Sequence, residues 1–264
     1  MSWISVATAR ALQSTSHRNN AGVALFNQGN YDEAVQVFTE AISASKTFLD
    51  CPLQEAESSK SVELVMSMLV LPSARNHDLH CNKDRSNVYP NAFEVEVALV
   101  SGVEEVSCAG QQMKQRDAVG GEHYLLFSKL SMVLIYNLAL AHHAVALVSR
   151  DSDATKSRAF LSKARDLYSV AFSIPQRRDQ RKDIIDAAFL PLFVHAILNN
   201  LGHCFASLGD REKSTACFDL LLRTIIVFQL NINGARLYDD RSIAFFLENT
   251  LFLILKTPHV APAA

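Results

Sequence analysis

Asn20 to Ala41 reads NAGVALFNQGNYDEAVQVFTEA. Val23, Leu25 and Phe26 precede Gly29-Asn30, and Ala34, Val35, Val37, Phe38, Ala41 and Ile42 follow it, all at helical spacing. Gly29 is placed to end a first helix in the left-handed conformation that costs other residues more. Asp32 and Glu33 suit the positive start of a second helix. Thr15 to Ala44 therefore predicts two helices joined by a tight corner.

The same grammar returns in NNLGHCFASLGDREKSTACFDLLL, from Asn199 to Leu222. Asn20 aligns with Asn200, Gly22 with Gly202, Gly29 with Gly209 and Phe38 with Phe218, each offset by 180 positions. A middle copy is more diverged. YNLALAHHA, from Tyr136 to Ala144, supplies a first helix and KARDLYSVAF, from Lys163 to Phe172, a second. Ala139, Ala164, Tyr168 and Ala171 take the equivalent positions. Ala139 and Ala164 are 25 apart, against 12 for Gly22 and Ala34, so this copy needs longer helices or a longer corner around Arg150 to Thr155.

The pattern N-x-G-x6-G-N-Y-D-E-A-x3-F-x2-A from Asn20 to Ala41 resembles the core signature of the tetratricopeptide repeat. That resemblance implies units of about 34 residues, each an antiparallel helix pair, and an all-α, right-handed solenoid working as a protein–protein interaction scaffold without catalysis. One helical domain over 1–264 is expected. It divides into a first unit at 15–48, an insertion at 49–122, a second unit at 123–174, a third at 186–230 and a capping helix at 239–256. The cap would use Phe245, Phe246, Leu247 and Leu251 to cover the last unit. Within the units, small residues at Gly22 and Ala34 would let two helices approach, and Phe38 would fill the gap between successive units.

In such a stack the first helix of each unit lines a concave face, and one position recurs there: Asn20, Asn137 and Asn200. A carboxamide both donates and accepts, so each asparagine can grip the backbone of an extended peptide. The competing reading has these asparagines bonding the adjacent helix. The neighbouring partner-binding candidates are Asn19, Val23, Phe26 and Asn27 in the first unit, Val133, Tyr136, Leu140 and His143 in the second, and Asn199 and His203 in the third. Relatives that capture a partner's C-terminal carboxylates use lysine, asparagine and arginine at set positions. Here those positions hold Asn19, Val23, Asn137, Ala196 and Asn200, of which only Asn137 fits, so an acidic tail is a poor ligand.

The insertion is the least regular stretch. Ala56 to Leu71 predicts one more helix, ended near Pro72. Ala92 to Val100, AFEVEVALV, alternates like a strand, and is expected in or near the partner-binding face, in competition with the partner. His77, His80 and Cys81 sit close together, yet no second ligand pair accompanies them, so neither a metal nor a cofactor is expected; a small metal-binding or enzymatic helical protein built on that cluster is the alternative, and a purely structural oligomer subunit is another.

Bulk properties narrow the classes further. Twenty-five basic against 27 acidic residues leave a formal charge of -2, too little to draw in nucleic acid. The one basic cluster, Gln176 to Lys182, lacks interleaved aromatics. Tyr124 to Val148 is long enough to span a bilayer, but Asn137, His142 and His143 in its second half favour a helix buried among helices. No membrane association is expected. Five cysteines without a C-x-x-C pair, and a start lacking a secretory signal, indicate a reducing compartment, cytosol or nucleus. Cys204 and Cys217 read as small buried hydrophobes, and His142, His143, His195 and His203 as core histidines. No nucleotide-binding, nucleophile-elbow or zincin motif occurs.

Overall fold

In a computed structural model, residues 2–50, 60–70, 88–105, 112–176, 189–231 and 240–256 are described. They form three strands, β1 Ser2–Ser5, β2 Lys60–Val70 and β3 Phe93–Glu105, and seven helices. The helices are α1 Val6–Asn27, α2 Tyr31–Asp50, α3 Gln112–Val148, α4 Ala154–Gln176, α5 Phe189–Leu208, α6 Arg211–Asn231 and α7 Asp240–Lys256. By its contacts the chain divides into two compact units. Met1–Asn76 with Asn91–Val145 forms the first, and His77–Pro90 with Ala146–Ala264 the second.

In the first unit α1 and α2 pack as a pair. Their corner closes as the sequence requires. Gly29 has φ +86°, the Asn30 N–H reaches back to the Leu25 carbonyl at 3.0 Å and the Gly29 N–H to the Phe26 carbonyl at 3.0 Å, a Schellman ending. Phe38 lies directly over Gly22, where an added Cβ would meet its Cε1 at 2.5 Å. Phe38 thus fills the space inside its own helix pair. This corrects the expectation that it fills a gap between successive units, and the reason is local: without a Cβ at position 22, the ring's nearest vacancy is the facing helix.

The three strands form one antiparallel sheet in the order β1-β2-β3, packed on α1. Residues 60–70 are a strand here, which overturns the helix expected from Ala56 to Leu71. Val62, Leu64, Met66, Met68 and Val70 alternate at period two, and the pairing of Leu64 with Leu99, Met66 with Val97 and Met68 with Val95 settles the conformation. The insertion therefore carries an antiparallel strand pair. Residues 93–105 are β3, in keeping with the alternation of AFEVEVALV.

In the second unit α5 pairs with α6, α4 packs on α5, and α7 packs on α6 and α5. The α5–α6 corner repeats the first one. Gly209 has φ +90°, Asp210 N–H bonds the Phe205 carbonyl at 2.9 Å, and Phe218 stands over Gly202 at 2.7 Å from the would-be Cβ. Asp210 caps α6 through the Lys213 N–H at 3.1 Å, and Asp153 caps α4 through the Lys156 N–H at 2.8 Å. Helices α3 and α4 are long, and α3 begins at Gln112, inside the stretch assigned to the insertion. Leu126–Val148 of α3 is apolar enough to cross a membrane by length and composition, with mean hydropathy 1.6, and most of it is buried inside the structure.

Candidate peptide-binding sites

An extended strand points the N–H and C=O of one residue to the same side, and those of the next residue to the other. Strand β3 lies at the edge of its sheet, so one row of its backbone groups faces β2 while the other needs partners from elsewhere. In the first unit those partners are asparagines. Asn20 Oδ1 accepts the Val95 N–H at 3.0 Å while its Nδ2 donates to the Val95 carbonyl at 2.9 Å. Asn137 repeats the arrangement one step along. Its Oδ1 accepts the Phe93 N–H at 2.9 Å and its Nδ2 donates to the Phe93 carbonyl at 2.8 Å. Each carboxamide supplies the acceptor and donor that a fourth strand would bring.

Asn19 joins the two. Its Nδ2 donates to the Phe93 carbonyl at 2.9 Å and to Asn20 Oδ1 at 3.1 Å, and its Oδ1 accepts from Asn137 Nδ2 at 2.9 Å. Further along α1, Ser16 Oγ donates to the Val95 carbonyl and Gln13 Nε2 to the Val97 carbonyl at 3.5 Å. Tyr136 offers its hydroxyl to the Asn91 carbonyl at 3.4 Å and receives the edge of the Phe93 ring at a centroid distance of 5.0 Å. Phe93 and Val95 are fully buried, Glu94 is half-buried and Glu96 is exposed.

In the second unit Asn200 makes the equivalent grip on Tyr89. Its Oδ1 accepts the Tyr89 N–H at 2.7 Å and its Nδ2 donates to the Tyr89 carbonyl at 3.1 Å and to the Tyr168 hydroxyl at 3.1 Å. Asn199 supports it through Nδ2 to Asn200 Oδ1 at 3.0 Å, the same internal bond that links Asn19 to Asn20. Asn249 on α7 in turn donates to Asn199 Oδ1 at 3.0 Å. The Tyr89 ring rests against Phe246 at 5.0 Å and Phe245 at 5.7 Å.

The asparagines thus bond both the backbone of the chain's own 89–95 segment and neighbouring helices. Asn20 bonds the β3 backbone and its neighbour Asn19, Asn19 and Asn137 bond β3 and tie α1 to α3, and Asn200 bonds the Tyr89 backbone and the Tyr168 hydroxyl of α4. Of the other candidates, Val23, Phe26, Leu140 and His143 are buried, with the Phe26 ring tilted against Tyr31 at 5.2 Å; these are core positions. Asn27 and His203 are half-buried. Ser16, Gln13 and Asn249 escaped the sequence reading. For Ser16 and Gln13 a signal existed, since they lie four and seven residues before Asn20 on one helical face.

The chemistry around these sites is neutral. Burial pushes the His195 imidazole down to about 4, and burial, followed by the Arg150 charge, pushes His203 down to about 4, so neither carries charge at neutral pH. The Cys204 thiol is pushed well up by burial, and by Cys217 beside it, against an opposing pull from Arg165. Burial and Asp210 raise Cys217 to about 11. Neither is a thiolate nucleophile at neutral pH. The ion pairs among the described residues, Arg165 with Asp166 at 2.7 Å and Lys213 with Asp210 at 2.8 Å, do not touch the gripped segment. No group of three potential metal ligands occurs among the described residues; His77, His80, Cys81 and most of the basic cluster lie outside them.

Compared with known families, residues 18–48 match the model of the tetratricopeptide repeat, the stretch that forms the second half of α1, the Gly29 corner and most of α2. No curated protein and no solved structure matches the chain. With the helix pair, its glycine corner and the Gly22–Phe38 packing all falling inside the matched stretch, the chain is a protein that contains a tetratricopeptide repeat.

Proposed function

We propose that this chain is a protein-interaction module that holds an extended segment of a partner protein by its backbone, without catalysis and without a cofactor. Tetratricopeptide repeats in general mediate protein–protein interaction. The observation that supports the finer reading is the paired grip. Asn20, Asn137 and Asn200 each satisfy both the N–H and the C=O of a single residue, two of them in strand β3 and the third, Tyr89, four residues before it. Such a contact recognises strand geometry rather than side-chain identity, so sequence preference has to come from the flanking surfaces, here aromatic and aliphatic. Five cysteines without a C-x-x-C pair suit a reducing compartment, and the reading places the chain in the cytosol or nucleus, with a protein partner and neither nucleic acid nor membrane.

Selection of a random peptide library on the full chain, followed by nuclear magnetic resonance with asparagine side chains labelled, tests the reading. Enriched peptides are expected to be uncharged at alternate positions and to shift the carboxamide resonances of Asn20, Asn137 or Asn200. Peptides that bind while leaving all three resonances unmoved would place recognition elsewhere.

A further inference from the structure

The asparagine grips are already filled, and by the chain itself. The filling residues all come from one short stretch, VYPNAFEVEV, Val88 to Val97. Its Tyr89 occupies the Asn200 grip of the second unit, and its Phe93 and Val95 occupy the Asn137 and Asn20 grips of the first. The gripped residues are buried, Tyr89 at 2% and Phe93 and Val95 at 0% exposure, as are Val88 and Ala92 beside them, while Glu96 is exposed.

We infer that Asn91–Val97 is a resident ligand of the first unit, a built-in copy of the segment that a partner must present and must displace. The inference rests on the binding reading above and adds the identity class of the partner. That partner carries an extended segment with an aromatic residue and a β-branched residue two positions later, as Phe93 and Val95 are placed on the first unit. Acidic residues fit only at the alternate, outward positions that Glu94 and Glu96 take. Its recognition is apolar and backbone-directed, which agrees with the missing carboxylate-capturing residues at Val23 and Ala196.

The construction of the stretch supports exchange. Phe93 and Val95 pair with Val70 and Met68 of β2 along one edge, and their other edge meets side chains, not a further strand. Letting go of the asparagines breaks hydrogen bonds to side chains and uncovers Phe93 and Val95, but requires no break in the β2–β3 pairing. Because the stretch is covalently tethered, it competes at an effective concentration in the millimolar range, and a free peptide sees an affinity reduced by the fraction of sites left open.

The test uses the full chain and a labelled peptide of the sequence NAFEVEV, residues 91–97. Val95→Pro removes the N–H that Asn20 accepts, at an edge position where proline does no harm to the strand ladder, and leaves every asparagine in place. The variant is expected to bind the peptide at least tenfold more tightly than the natural chain, and Asn20→Ala added to it should abolish the gain. Equal affinities for the two chains, or no binding to a folded Val95→Pro variant, overturn the inference. Should that variant fail to fold, native-state hydrogen exchange of the unaltered chain decides. The Phe93 and Val95 amides are expected to exchange at least tenfold faster than those of Ala34 and Phe38, through an opening smaller than global unfolding. Equal protection would make the stretch a fixed part of the core. Library peptides that shift the Asn137 carboxamide while Val95→Pro gives no gain would leave the binding reading standing and remove this one alone.

Discussion

A methyl group at Gly22 would lie 2.5 Å from Phe38 Cε1, 2.8 Å from Cδ1 and 2.9 Å from Cζ. Phe38 is fully buried and has no free side to swing into, so Gly22→Ala is expected to cost about 2 kcal/mol by overpacking. Gly29→Ala meets no neighbour and costs only the strain of φ +86°, about 1 kcal/mol. Urea denaturation distinguishes the two, because Phe38→Leu should recover part of the loss at Gly22 and none at Gly29. At Asn137, which is fully buried, alanine takes the acceptor from the Phe93 N–H and the donor from Asn19 Oδ1, at about 1–3 kcal/mol for each group, while the Phe93 carbonyl keeps Asn19 Nδ2. Asn137→Asp is expected to be worse at neutral pH. Its carboxylate still accepts the Phe93 N–H but faces the Phe93 carbonyl and Asn19 Oδ1 with no donor to give. The same urea midpoints, taken for both variants, show whether aspartate falls below alanine.

At the scale of elements, what could be read from the sequence was what neighbouring residues decide among themselves. The α1–α2 and α5–α6 corners were legible because Gly29 and Gly209 close them through bonds only five residues long. The recurrence of Asn20 and Asn200 beside those corners was legible for the same reason. β2 was not. KSVELVMSMLV is apolar enough for a helix, and only its pairing with β3, a partner distant in sequence, makes it a strand. That Phe93 and Val95 would meet Asn137 and Asn20 was anticipated only as a neighbourhood, since no local rule sets which backbone groups of an edge strand find which side chains. Helix α7 carries the element-scale prediction. Phe246 is fully buried and its ring meets Tyr89 at 5.0 Å, Phe245 at 5.7 Å and His195 at 5.9 Å. Phe246→Ala is expected to cost about 3–5 kcal/mol and to speed exchange of the Tyr89 amide, whereas truncation at exposed Leu251 should change neither; thermal melting with hydrogen exchange reads both.

For the whole molecule, the small net charge of -2 leaves pH stability to individual groups rather than to general repulsion. His195 and His203 are held near 4 in the folded chain against an ordinary 6.5. The unfolded chain therefore takes up protons first as pH falls, and stability drops through the window from about 6.5 to about 4, levelling off below it. Each histidine contributes up to about 1.4 kcal/mol per pH unit in that window. His195 is fully buried against Phe228 and Phe246 and should deliver most of this; His203 is half-buried and less, because solvent screens its charge. Asp210, at the surface, is lowered by its bonds to Lys213, and its influence starts only in the carboxylate range, beneath most of the histidine window. Urea midpoints at pH 7.5, 6 and 5 are expected to fall steadily for the natural chain. In His195→Gln, which has nothing to protonate, the decline should flatten by about half or more, and a slope unchanged by that substitution would mean that the buried imidazole is not what limits stability in mild acid.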